Sequence, residues 1–413
     1  MSKKITLGKV SITPKGRWSP EEHYENLDSV LFEGSLWIAR KASVGQLPTE
    51  ESEYWKIALD GRDVGGEGAA VYSSVTAFLP DTLYLAAGNT IEIYNRQVCP
   101  DADKYNFKWS CALGRSYERK FSISASFVQN GTYPLSLEIT DSNGDKVWSK
   151  NATLRVSSMG FFGDKLICPI GSTHTDGKAW LEEIRENLSE GKIDFVGNVE
   201  TENGICHEGR SGWTTETYLT KAEEYNTRTE EKMENPFWDG RFSWEYYLDT
   251  YSQSNDAVQL FFGEADLLTL GADSLADGLL QMIRTMRTEG GSFPIFVVLP
   301  PCPGTQDGMA KGSLTEYNNY FEGKCKHEID KTFIEGAKKI YETISESGYG
   351  NIFFVPLTQC FDSENNFPTV QVKLNPRSSV TKTIQSNATT PTDDGYRQMA
   401  DVMFGAYCAA FNT

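Results

Sequence analysis

Hydroxyl, imidazole and carboxylate groups crowd one stretch of this chain, residues 168–180 (CPIGSTHTDGKAW), where Ser172, Thr173, His174, Thr175 and Asp176 follow one another. Such groups perform acyl transfer when a hydroxyl attacks, a base titrating near neutrality takes its proton, and donors face the developing oxyanion. Bases of that kind are scarce, because the chain has only 4 histidines. His23 and His327 stand far from the stretch in sequence, whereas His174 adjoins Thr173 and His207 lies shortly before Gly212. Glu264, Asp266 and Asp176 are carboxylates that together invite a cation, but their spacing matches no calcium loop. No metal and no cofactor is expected.

The elements that position these groups are legible around them. Residues 165–170 form a short apolar run ending in Gly171, and Ala179, Leu181, Ile184 and Leu188 then recur at helical spacing. This reads as a buried strand feeding a helix across a tight turn. Such a turn presents side chains and amides at the carboxyl end of a parallel sheet, where open α/β folds bind ligands. Further buried-strand runs occupy 193–197, 258–262, 295–299 and 352–356. Ile329, Phe333, Ala337, Ile340, Tyr341 and Ile344 share one helical face, and a last helix after Asp393 and Asp394 buries Tyr396, Met399, Met403 and Tyr407. Strands alternating with helices predict a parallel sheet with right-handed crossovers, assigned to a domain over 159–413.

Upstream the pattern changes. Leu135, Leu137 and Ile139 alternate with Ser136, Glu138 and Thr140, and DSNGDK at 141–146 is a hairpin turn, so 64–158 is expected to hold a linker and an immunoglobulin-like β-sandwich serving as a spacer. GRDVGGEGAA at 61–70 is the linker. Residues 1–63 read as a small all-β module, with runs at 28–32 and 36–41 joined by Glu33 and Gly34. Its rings either build a miniature core or face outward to stack on sugars. Trp18, Trp37, Tyr54 and Trp55, with Trp213 in the third domain, are the candidate glycan-binding residues. The fold class is therefore multidomain: small β module, β-sandwich, then an α/β three-layer domain.

At 413 residues, with 39% hydrophobic and 12% aromatic content, the chain is expected to fold into several domains. Its formal net charge of -18 weighs against nucleic acid and anionic membrane surfaces as partners. No apolar run is long enough for a bilayer and the start, MSKKITLGKV, has no signal-peptide core, so synthesis in a cytoplasm is expected. The 8 cysteines are scattered without a CxxC pair. Cys99 and Cys111 could meet across strands, but buried thiols in a reducing compartment are the expectation.

Three resemblances add to this reading. HYENLDSVLFEGSLWIARKASVGQLPTEESEYWKIAL resembles small β modules of the chitin-binding kind found at the ends of phage fibre and tail proteins, and ITLGKVSITPKGRW resembles the leader of bacteriophage appendage proteins. The final segment resembles the SGNH, or GDSL-like, hydrolases in the order of its motifs. The family's Gly-Asp-Ser turn falls on Gly171, Ser172 and Thr173, followed by Thr175, Gly177 and Trp180; its oxyanion Gly on Gly212; its Gly-X-Asn-Asp on Gly263, Glu264, Ala265 and Asp266. Its general-base His falls on Thr390 and its triad acid on Asn387.

The resemblance implies the fold, and it implies that the conventional mechanism is absent. Thr173 stands for the nucleophilic Ser, Ala265 for the oxyanion Asn and Thr390 for the base; in a serine hydrolase, losing nucleophile or base costs roughly a millionfold. The expected reading is thus a non-enzyme: a structural or adhesion component of a bacteriophage virion, a head or tail fibre. On this reading the SGNH-like domain is a rigid knob or a surface for host glycan, the N-terminal module docks on other virion proteins, and the chain sits on the virion surface as a dimer or trimer. The alternative is an active carbohydrate esterase or deacetylase, acting on host surface polysaccharide through a rearranged site that uses His174 or His207. A third reading is a cellular carbohydrate-binding protein sharing these modules.

Overall fold

Unbroken apolar pentapeptides such as IFVVL and IFFVP are too short for a helix and leave no polar side for solvent, so they belong in a sheet covered on both faces. The structure of the protein, a computed structural model, describes residues 12–32, 35–49, 52–59, 75–172, 174–175, 179–226, 231–311, 321 and 323–412. It divides into two compact units, Met1–Val75 and Thr76–Thr413. The glycine-rich stretch 61–70 and the hairpin tip at Glu33 and Gly34 lie outside the described residues.

The first unit is a four-stranded sheet of β1 (Thr13–Arg17), β2 (Asp28–Phe32), β3 (Ser35–Ala39) and β4 (Trp55–Leu59) in that spatial order. β2 and β3 pair antiparallel, Ser29 opposite Ile38 and Phe32 opposite Ser35, as the hairpin signal predicts. Tyr24, Val30, Trp37, Ala39 and Trp55 form its core.

In the second unit, β5 (Thr82–Ala86), β6 (Thr90–Tyr94), a helical turn α1 (Asn95–Val98), β7 (Asn106–Ser110), β8 (Gly114–Ser116), β9 (Lys120–Ser124), β10 (Gly131–Thr140) and β11 (Lys146–Ser157) come first. They form two sheets, β8-β9-β6 and β5-β11-β10-β7. Trp109 of one sheet stacks on Phe121 of the other, ring centroids 5.2 Å apart. The alternation read in β10 is real: Leu135, Leu137 and Ile139 are buried.

The elements that build and cover the α/β sheet include β12 (Lys165–Gly171), α2 (Ala179–Glu182), β13 (Ile193–Phe195), β14 (Val199–Glu200), β15 (Cys206–Gly209), α3 (Thr215–Tyr218), α4 (Trp244–Tyr251), β16 (Ala257–Phe261), α5 (Glu264–Thr269), α6 (Ala272–Thr288), β17 (Ile295–Leu299), α7 (Lys326–Glu346), β18 (Ile352–Pro356), α8 (Leu357–Cys360) and α9 (Asp393–Phe411). Their sheet runs β14-β15-β12-β16-β17-β18, with β13 also on β12. All pairs are parallel except β14 with β15, where Val199 lies opposite His207. That edge departs from the expected all-parallel sheet because only the turn at 201–205 joins the two strands, closed by Thr201 N–H to Ile205 O at 2.9 Å, and so short a link permits only an antiparallel pair.

The alternation along the central strands assigns the layers. Val258, Leu260, Ile295, Val297 and Leu299 pack with Leu279, Ile283, Phe333 and Ile340 of α6 and α7 in one core. On the opposite face the Tyr407 hydroxyl of α9 donates to Gln259 at 2.5 Å, and its ring lies 4.5 Å from that of Phe296. Helices thus cover both faces of one sheet, and the chain is multidomain with sheets and helices.

Candidate functional site

β12 can approach β16 only because Gly171 has no side chain: a Cβ there would lie 2.0 Å from the Phe261 carbonyl oxygen. Ser172 N–H donates to that same oxygen at 3.1 Å, and Arg210 N–H donates to Gly171 O at 3.0 Å. The turns that follow β12, β16 and β15 are therefore tied together by backbone at the carboxyl edge. Gly263 completes the turn after β16 with φ +158, where a Cβ would meet Pro300 at 2.2 Å. The loop before α9 reaches the same edge, since Gly304 N–H donates to Ala388 O at 2.8 Å and the Tyr396 ring meets His174 at 6.2 Å.

Two acids stand in this edge. Glu264 is 5% exposed, its Oε2 has no hydrogen-bond partner among the described residues, and burial pushes its carboxyl up to about 8. Asp266 is fully buried; burial raises its carboxyl to about 6, while Thr215, donating through N–H at 2.8 Å and Oγ1 at 2.7 Å, pulls the other way. At pH 7 Glu264 holds a proton and Asp266 is mostly ionised. Two carboxyl groups pushed to different pKa values by their surroundings are the arrangement that separates acid from base roles.

The end of β15 carries a buried ion pair, Arg210 Nη2 to Glu208 Oε2 at 2.9 Å. Glu208 also accepts from Tyr247 Oη at 2.9 Å and Asn198 N–H at 2.7 Å. The guanidinium lies over Trp213, 5.1 Å from its ring centre. Gly212 follows with φ +79 and open space where a Cβ would be.

No protein-family model and no curated protein matches this chain. Among solved structures it is similar to a family 3 carbohydrate esterase of Clostridium thermocellum, at 17% identity and TM-score 0.36, covering 60% of this chain and 98% of that one. A family 3 carbohydrate esterase from Talaromyces cellulolyticus gives 14%, 0.39, 60% and 98%. A carbohydrate acetylesterase from Xanthomonas citri gives 10%, 0.31, 80% and 75%. These neighbours are carbohydrate esterases, and with them the expectation of a non-enzyme is corrected.

The residues singled out in the sequence fare differently. Ser172, Gly212, Ala265 and Asp266 come together at the edge as described, and Thr173 and Asp176 lie outside the described residues. Asn387 acts as a turn cap, its Oδ1 accepting from Thr389 N–H at 2.7 Å and Thr390 N–H at 2.8 Å. His174 is buried in the edge, its ring stacked on Phe261 at 5.4 Å. His207 instead sits inside β15, where its Nδ1 accepts from Gly209 N–H at 3.0 Å.

Three rings are corrected as glycan platforms. Trp37 and Trp55 are 2% and 1% exposed, and their indole N–H groups donate to Phe32 O and Gln46 O, so both are core. Trp213 is 4% exposed, wedged between Arg210 and Tyr218. Trp18 and Tyr54 are half-buried, Trp18 against Phe32 and Tyr54 under the Lys41 ammonium. Sequence reasoning missed the Glu208–Arg210 pair. The signal was a Glu and an Arg two apart at the end of a strand, which places both on one face.

Proposed function

We propose that the α/β domain hydrolyses esters carried on carbohydrate, acetyl esters first among them, through a site rearranged around Glu264. One observation carries the reading: a carboxylic acid that holds its proton at neutral pH, with an unpartnered oxygen, is set in the turn between the loops after β12 and β17. Water adds to the acyl carbon and the acyl C–O bond to the sugar breaks. Glu264 gives its proton to the departing sugar oxygen and recovers one from the water, so atoms and charge balance. Proton transfer by a placed side chain contributes roughly 10²–10⁴-fold.

The test is turnover of 4-nitrophenyl acetate and acetylated xylo-oligosaccharide by the wild type, Glu264→Gln and Thr173→Ala. Glu264→Gln is expected to lose about 100-fold or more, and the wild-type rate to fall as pH rises through about 8, where the acid is lost. Turnover abolished by Thr173→Ala and untouched by Glu264→Gln replaces this route with a hydroxyl nucleophile. No wild-type turnover of either ester ends the reading.

The carrier is a separate proposal: residues 1–63 dock the chain on the surface of a bacteriophage virion, as a dimer or trimer that contacts host glycan. What supports it is the likeness of 5–59 to phage appendage modules and the separate core of the first unit. Mass spectrometry of purified particles checks it; absence of the chain from intact virions overturns it.

A further inference from the structure

A polar groove of about 520 Å³ opens in the second unit, between α1, β7, the turn after β8 and the loop that follows α8. Its volume falls within the roughly 300–1,000 Å³ of small-molecule sites. The floor is fixed by buried amides. Asn95 accepts from Trp109 Nε1 at 3.0 Å and donates to Glu118 O at 3.2 Å, and Gln97 donates to Ser363 Oγ at 2.5 Å. Two guanidinium groups stand in the wall. Arg96 pairs with Asp103 and faces Glu364 at 3.8 Å; Arg119 pairs with Glu364 at 2.7 Å and Asp362 at 3.2 Å. Tyr117, 55% exposed, and the half-buried Tyr105 and Phe107 supply open ring surface.

We propose that this groove binds a neutral carbohydrate. Rings with one face open cover the apolar C–H face of a pyranose. Forked guanidinium and carboxylate groups, already held in place by one another, suit adjacent hydroxyls, since each offers donors or acceptors in a fixed plane. Both arginines are matched within the wall, and three carboxylates, Asp103, Glu364 and Asp362, outnumber them. No cation is left over for an acidic ligand, and the chain's net charge of -18 repels one.

The groove is linked to the carboxyl edge through Gln385. Gln385 donates to Glu364 O at 2.8 Å and accepts from Thr305 N–H at 2.5 Å, in the loop that meets Ala388. A glycan seated here lies on loops that frame the candidate site, yet its binding requires no ester chemistry, so the inference goes beyond the proposed activity.

Calorimetric titration of the full chain with xylotetraose, cellotetraose, mannotetraose and chitotetraose tests it, with sialyllactose as the anionic probe. Saturable binding of at least one neutral tetrasaccharide is expected, weakened tenfold or more in Tyr117→Ala and in Arg119→Ala. No binding of any neutral probe by the wild type overturns the proposal, as does binding indifferent to both substitutions or a preference for sialyllactose. Wild-type saccharide binding lost in Tyr117→Ala, in a protein without esterase turnover, sustains the groove and removes the proposed activity alone.

Discussion

Glu264 gives this fold one source of pH dependence. Its carboxyl ionises near 4.5 when exposed and near 8 in the folded chain, so between those values the folded state holds a proton that the unfolded state has released. The stability this confers is complete below about pH 4.5 and is lost as pH rises through 8. Glu264→Gln removes the titrating group. The variant is expected to melt above the wild type at pH 8.5, with the gap closing toward pH 5, which thermal denaturation at both values checks. Asp266 follows the same sign over a narrower window, from 3.8 to about 6. Thr215→Val deletes the 2.7 Å bond to Asp266 Oδ1, one of the forces holding that carboxyl down. Its pKa is expected to climb further, as carboxyl-carbon NMR titration of the two proteins reads directly. The Glu208–Arg210 pair answers differently: Arg210→Met strands a buried carboxylate and is expected to cost about 3–5 kcal/mol in urea unfolding.

At the scale of elements, the edge depends on one close approach. Gly171→Ala drives a methyl to 2.0 Å of a backbone oxygen that cannot turn away. A loss of at least ~1–3 kcal/mol is expected from such overpacking, measured by chemical denaturation. The neighbouring strands explain why so much of the sheet is legible. β17 and β18 coincide with the runs read at 295–299 and 352–356, because a strand buried on both faces must be apolar throughout. α7 and α9 extend from their predicted faces for the same kind of reason, an apolar stripe at helical period. The rings were harder. A Trp in a small sheet serves core or surface according to the strand face it occupies, and Trp37 and Trp55 prove inward. The proton on Glu264 is not local at all, because it arises from burial by segments distant in sequence. The groove at Arg119 is equally hidden: its carboxylate partners stand 243 or more places along the chain.

The whole second unit is joined through α9. Tyr407 meets the sheet at Gln259, while a Cβ on Gly405 would lie 2.7 Å from Tyr84 O of β5 in the sandwich. Arg155 donates to Ala409 O at 3.0 Å and Asn89 to Asp401 at 3.3 Å. Sandwich and α/β region are therefore expected to melt together, and Gly405→Val to lower that shared midpoint in calorimetry by several degrees. The position of α9 in the chain has a consequence for how the protein is made. Residues 402–410 are buried without interruption, and they follow every other described element. While the ribosome is still adding them, one face of the sheet and the adjoining end of the sandwich stand uncovered together. The nascent chain thus carries exposed apolar surface until this helix is made and docks, and chaperone cover matters over that interval.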